Sequence, residues 1–216
     1  MSLQQLADIE ALIQKAKARD FENDKLTKVL EARAQHLHGA IKLPADKSVQ
    51  ALRAFVIRYI ERVPAFIDAI DHISREAGID EPVTPLLNIA CDYFLSPPDL
   101  INGRSQLEAL LDEAYLAHRL LEEVNDRFMG YCGIPLAPMD STRANVIAHE
   151  LIGEPFANEL DQAVLFSAEL LLNEYSFKSE SFQRYIALHK DRGWSEEIRR
   201  WPCLESDLDI DIRFEE

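Results

Sequence analysis

The sequence predicts an all-α fold: a single-domain bundle of about seven to nine helices over residues 1–203, followed by an extended acidic tail at 204–216. Apolar residues recur at three- and four-residue intervals along most of the chain, the spacing of one helix face. Glycine numbers only 7 in 216 residues, too few for glycine-turned all-β folds or glycine-rich phosphate loops. The last stretch, ESDLDIDIRFEE, breaks the helical rule: acidic and apolar residues alternate with period two, which is extended chain.

The elements follow in order. Leu3, Leu6, Ile9, Ile13 and Ala16 mark an amphipathic helix over 2–20. A second begins after Asn23, with Leu26, Val29, Leu30 and Leu37 inward. Asp46 or Ser48 is placed to cap a third, which carries Val49, Leu52, Phe55, Val56 and Ile60. Pro64 kinks this helix or starts a new one, and the stripe Phe66, Ile67, Ile70, Ile73 runs to a stop at Gly78. A helix covers about 83–95, and SPPDLINGR after it is a turn. Residues 105–129 form the longest helix. GYCGIPLAPMD is a loop, after which Asp140 or Ser141 caps a helix reaching about 152. Pro155 suits the first turn of the next helix, 155–175, and a shorter one spans about 179–191. Both tryptophans, Trp194 and Trp201, lie beyond it.

Charge narrows the function classes. Acidic residues number 38 against 23 Lys and Arg, a formal net charge of −15. Phosphate binding needs clustered bases, so nucleic acid is not an expected partner, and an anionic membrane surface would repel this chain. No apolar run is long enough to span a bilayer. The N-terminal residues lack a basic stretch followed by an apolar one, so no secretory signal is expected. Cys91, Cys132 and Cys203 are odd in number and widely spaced, which suits the reduced thiols of a cytoplasmic protein.

One segment has a family likeness. Residues 93–114 read YFLSPPDLINGRSQLEALLDEA, with Tyr93, Ser96, Pro97, Asp99, Leu100 and Ile101 followed in register by Leu111, Asp112, Glu113 and Ala114. This resembles the core motif of the YkvA-like family, a bacterial domain of unknown function: an aromatic, then Ser-Pro-x-Asp-Leu-Ile-Pro-Asp, then Gly-x-Leu-Asp-Asp-Ala. Asn102-Gly103 stands where the family has Pro-Asp, Ala109 replaces its glycine and Glu113 its second aspartate. The resemblance implies a helical hairpin, about 83–129, with an SPxDLI turn at its bend. It implies no reaction.

Wound at about 100° per residue, residues 107–128 carry a polar stripe of Glu108, Asp112, Tyr115, Arg119, Glu122 and Asp126. The apolar arc is broad, and Glu113 falls inside it, between Leu120 and Val124. His118 falls on the opposite flank, between core and solvent. A buried carboxylate needs a partner or keeps its proton. Glu113 is therefore a structural carboxylate that caps the SPPDLI turn or pairs with a base, or a site residue with a shifted pKa. Asp99, just after two prolines, has the same two readings: a turn residue, or a site residue.

Stronger chemistry is tested by motif. Di-iron bundles need Glu-x-x-His, which occurs nowhere in the chain. His149-Glu150 begins a zincin-like H-E-x-x-H, but Gly153 holds the closing position. His118 with Glu122, and His72 with Glu76, are i, i+4 pairs able to ligate a metal or simply to pair on a surface. Asp207, Asp209 and Asp211 imitate a calcium loop whose glycine position is Ile212. Cys132 sits among loop glycines as a plain thiol.

These readings favour a protein-interaction or structural module without catalytic activity, and without a cofactor. Its partner is another protein or a second copy of the chain. The contacting residues are Trp194, Arg199, Arg200 and Trp201, and the alternating Leu208, Ile210, Ile212 and Phe214, which can add as a strand to a sheet edge. The second reading is a metal- or small-molecule-dependent enzyme with Asp99, Asp112, Glu113 and His118 as the acid–base group. A divalent metal there would draw ligands from Glu113, His118, Glu122 and His149.

Overall fold

Helix α5 (Gln106–Cys132) is the axis of the molecule, touching α1 (Leu3–Asn23), α3 (Ser48–Glu76), α4 (Asp80–Leu95), α6 (Thr142–Ile152) and α7 (Phe156–Leu171). This explains why its apolar arc is so broad: Leu107, Leu110, Leu111, Ala114, Leu116, Ala117, Leu120, Leu121, Val124 and Phe128 are all buried, against several neighbours rather than one. Helix α2 (Lys25–Ala34) packs on α3, and α8 (Glu180–His189) follows a 3-10 turn at Ser176–Lys178. The computed structural model describes residues 3–101, 106–172, 176–191 and 210–213, and this all-α bundle has eight α-helices among them. No helix is long and apolar enough to cross a membrane among the described residues.

The helices begin and end where local chemistry dictates. Pro64 neither breaks α3 nor starts a new helix, because Val63, Pro64, Phe66 and Ile67 are buried together and their packing offsets the missing hydrogen bond. The helix stops at Gly78, whose φ of 67° lets its N–H reach the Arg75 carbonyl (3.1 Å) and the Ile79 N–H reach that of Ser74 (2.9 Å). The next helix, α4, starts at Asp80 rather than at 83. Asp80 and Glu81 favour a helix N-terminus, and Pro82 lies in the first turn, where an N–H would have no intrahelical partner.

At α3 the cap position falls to Lys47, which supplies no side-chain bond. At α6 the work is divided: Ser141 holds the cap position while the Asp140 carboxylate accepts from the Thr142 N–H at 3.2 Å. Helices α4 and α5 pack together, and a 3-10 turn at Asp99–Ile101 lies between them in the chain. At the far end of α5, Phe128 meets Phe177, Phe182 and Tyr185 edge-on, with ring centroids 5.3, 5.2 and 5.9 Å away.

The described part of the tail is extended, as its alternation predicts. Strand β2 (Asp211–Ile212) pairs antiparallel with β1 (Ile41–Lys42), with Ile41 opposite Ile212 and Lys42 opposite Asp211. Arg213 adds an N–H bond to the Ala40 carbonyl at 2.8 Å. Ile210 and Ile212 pack against the core, so these two side chains engage their own chain. Trp194, Arg199, Arg200, Trp201, Leu208 and Phe214 lie outside the described residues.

Candidate functional site

Four residues of α5 share one face, Tyr115, Arg119, Glu122 and Asp126, at steps of four, three and four. Helix α6 buries Ala144, Ile147, Ala148 and Leu151, and its small alanines bring it close to α5. Its adjoining flank then presents Thr142, Asn145, Val146, His149 and Glu150 to the α5 stripe, and α7 adds Asp161. These ten side chains line a cleft of about 360 Å3, within the size range of small-ligand sites.

Arg119 is the centre of the cleft wall. Its Nε donates to Asp161 Oδ1 at 3.0 Å and its Nη1 pairs with Glu122 Oε2. Tyr115 O–H donates to the same Asp161 oxygen at 2.9 Å. The Asn145 amide donates to Glu122 Oε2 at 2.6 Å, and Thr142 O–H donates to Glu122 Oε1 at 2.8 Å. Behind them Tyr59 O–H, from α3, donates to Asn145 Oδ1 at 2.6 Å. His149 Nε2 lies 3.1 Å from Asn158 Oδ1 and 3.7 Å from Asp161 Oδ2; both are acceptors, so this nitrogen carries the proton.

The electrostatics follow from this wiring. Burial alone would lower the Arg119 guanidinium; its bonds to Asp161 and Glu122 outweigh burial and hold it above its ordinary value. Tyr115 is raised by burial and then by the negative Asp161, and Tyr59 is raised by burial above all, so both phenols keep their protons. Asp126, at the rim, is raised by burial and then by Glu122 and Glu123. Four carboxylates line the cleft against one guanidinium, so its field is negative.

A second cavity of about 280 Å3 shares the His149 and Glu150 wall, with Arg33, His36, Gly153 and Glu154 on its other sides. Arg33 Nη2 donates to the Ile152 carbonyl at the end of α6 (2.9 Å), and the His38 N–H donates to Glu150 Oε2 (3.2 Å). These bonds tie α2 and the loop after it to α6.

The residues singled out in the sequence divide between places. Glu122 and His149 line the cleft; Glu113 and His118 do not. Glu113 stands nine positions from Glu122, which is half a turn away around α5. It is 6 % exposed, its Oε2 has no hydrogen-bond partner, and burial followed by the adjacent Asp112 pushes its carboxyl up to about 8. His118 is fully buried between the rings of Tyr59 and Phe66. Burial pushes it down to about 4, against the bond its Nε2 makes to the Tyr59 carbonyl. Asp99 opens the 3-10 turn and Asp112 is wholly buried.

Among the described residues no group of three or more His, Cys, Asp or Glu is placed to hold a metal ion. His72 and Glu76 form an exposed pair at 3.3 Å. Burial pushes the thiols of Cys91 and Cys132 up to about 11, away from reactivity.

Asn145, Thr142 and Asp161 are the cleft residues that reading one helix at a time misses. Thr142, Asn145 and His149 repeat at three and four, and Asp161 with Asn158 borders the apolar face of α7; the signal lies in laying these stripes side by side. No family model matches this chain, and no curated protein or solved structure matches it.

Proposed function

We propose that this protein is a binding module without catalytic activity of its own, and that it takes a partner protein through the cleft between α5, α6 and α7. One observation carries the reading: the inner polar groups of the cleft are bonded to each other. Asp161 accepts from Tyr115 and Arg119, and Glu122 accepts from Arg119, Asn145 and Thr142. An acid–base centre needs a group free to take and release a proton at the reacting atom. Here Glu122 and Asp161, the carboxylates of the inner wall, hold a guanidinium, the phenols keep their protons, and these groups form a fixed surface suited to recognition. The residues that the sequence offers for acid–base work, Asp99, Asp112, Glu113 and His118, do not line the cleft.

The test is a steric plug. Val146, 44 % exposed, is in the cleft wall and takes no part in the hydrogen-bond network. Val146→Trp fills the mouth and leaves the network intact. Proteins crosslinked to the wild type and identified by mass spectrometry should include a partner that the variant loses at unchanged melting temperature. An identical set of crosslinked proteins from both would remove the reading.

A further inference from the structure

The donor and acceptor inventory of the cleft points to the chemistry of its ligand. Each donor-bearing side chain of the inner wall is already bonded within it: Tyr115 and Arg119 to Asp161, Asn145 and Thr142 to Glu122, His149 to Asn158. Arg119 Nη2 makes no hydrogen bond among the described residues, and the other open positions are acceptors. The Asp126 carboxylate and Asp161 Oδ2 accept no hydrogen bond among the described residues. Beside them the ring of Tyr115 and the methyls of Val146 give the cleft an apolar wall.

We propose, building on the cleft as the partner-binding site, that its ligand is a primary ammonium on an alkyl stem, presented by a lysine side chain of the partner protein. The ammonium brings three N–H donors to the open carboxylate oxygens, and its four-carbon stem lies against Val146 at the mouth. An anion fits poorly: the one guanidinium of the wall already holds two carboxylates, and Asp126 and Glu150 repel it. A neutral alcohol brings one donor and gains nothing from the negative field. Lysine rather than arginine is favoured because the open oxygens are spread over two helices, those of Asp126 on α5 and the one oxygen of Asp161 that accepts no hydrogen bond, Oδ2, on α7, and three donors turning about one nitrogen meet such a spread better than a planar fork does.

The experiment is an amide-shift titration by nuclear magnetic resonance, using the full chain and three probes with one stem: n-butylamine, n-butanol and n-butyrate. Butylamine alone should move the amides of Asn145, Val146, His149 and Asp161. Raising salt from about 0.05 M to about 0.5 M should weaken it, as screening demands. Asp126→Asn, an exposed change that disturbs no hydrogen bond, should weaken it about threefold, and Asp161→Asn about tenfold or more. Nα-acetyl-lysine methylamide should bind at least as well as butylamine and better than spermidine. Tighter spermidine binding overturns the lysine source. Equal shifts with butanol or butyrate, or shifts with butylamine unchanged in Asp126→Asn and Asp161→Asn, overturn the ammonium and leave the cleft as a binding site. If no probe moves the cleft amides, both the ammonium and the cleft reading fail.

Discussion

The imidazole of His118 lies against the ring of Tyr59, 4.3 Å between centroids, and donates its Nε2–H to the Tyr59 carbonyl at 2.8 Å. A carbonyl only accepts, so the proton sits on Nε2 and the buried Nδ1, which has no partner, is a bare lone pair. The same Tyr59 sends its hydroxyl to Asn145. One residue of α3 thus joins the sealed core of the bundle to the back wall of the cleft.

That arrangement makes the protein acid-sensitive. In the fold His118 titrates at about 4, and in the unfolded chain near its ordinary 6.5. The unfolded state therefore takes a proton first, and stability is lost as pH falls below 6.5 until the folded state also protonates near 4. The loss from this group is about 3 kcal/mol at pH 4, from the 6.5 to 4 shift. His118→Gln keeps an N–H for the Tyr59 carbonyl and removes the titration. Urea unfolding of both proteins at pH 7 and pH 4.5 should show the wild type losing stability relative to the variant. Parallel losses would refute it.

Glu113 acts with the opposite sign. Its folded carboxyl is pushed up to about 8 by burial and by Asp112, against an ordinary value of 4.5. The folded state holds a proton that the unfolded state releases, so this contribution is intact below pH 4.5 and is lost as pH rises toward 8. Glu113→Gln has no proton to hold. It should exceed the wild type in stability by about 3 kcal/mol at pH 7, given the 4.5 to 8 shift, with the gap closing near pH 4. Denaturant midpoints at the two pH values measure this directly, and a variant less stable than the wild type at pH 7 would mean that the carboxylate has a charged partner.

Much of the fold was legible because burial follows period. The 3.6-residue rhythm of α5 put Leu120, Val124 and Phe128 inward, and the period-two run at Ile210 and Ile212 made the tail extended. Legibility failed where one side chain does two jobs. Tyr115 reads as part of a polar stripe, yet it is 1 % exposed, because its ring fills space while its hydroxyl reaches Asp161 on another helix. His118 reads as a boundary residue and is wholly buried, since the Tyr59 carbonyl that receives it belongs to α3. The prolines at 82 and 85 concealed the start of α4. The cleft was hidden for a related reason: its polar groups are each ordinary on their own helix, and only the packing of α6 and α7 on α5 makes them one surface.

Gly153 and Arg33 offer a sharper test of that packing. Gly153 has φ 83°, ψ 149°, a region open in practice only to glycine. A Cβ built there would stand 2.5 Å from Arg33 Nη1, the guanidinium that bonds the Ile152 carbonyl. Gly153→Ala should destabilise by about 2 kcal/mol, combining backbone strain with the displaced arginine. Arg33→Ala removes the clash and the bond but not the strain, so Gly153→Ala added to it should cost about 1 kcal/mol or more, less than in the wild type. Full additivity of the two in thermal unfolding would show that the arginine does not sense position 153.

Arg119 decides how the cleft is held open. It separates two carboxylates, Glu122 and Asp161, that would otherwise confront each other across the wall. Its side chain is 23 % exposed, so the pairs lie between the surface case, worth little, and the buried case, where removing one partner costs several kcal/mol. Arg119→Met keeps the apolar stem and should destabilise the protein by about 2 kcal/mol at pH 7. Mutual repulsion of the stranded carboxylates causes the loss, and salt screens it, so the deficit should shrink as ionic strength rises. Urea unfolding of the variant and the wild type in about 0.05 M and about 0.5 M salt separates the two accounts. A deficit that shrinks with salt identifies Arg119 as the counter-ion of the cleft; one that is equal at both salt concentrations identifies it as packing alone.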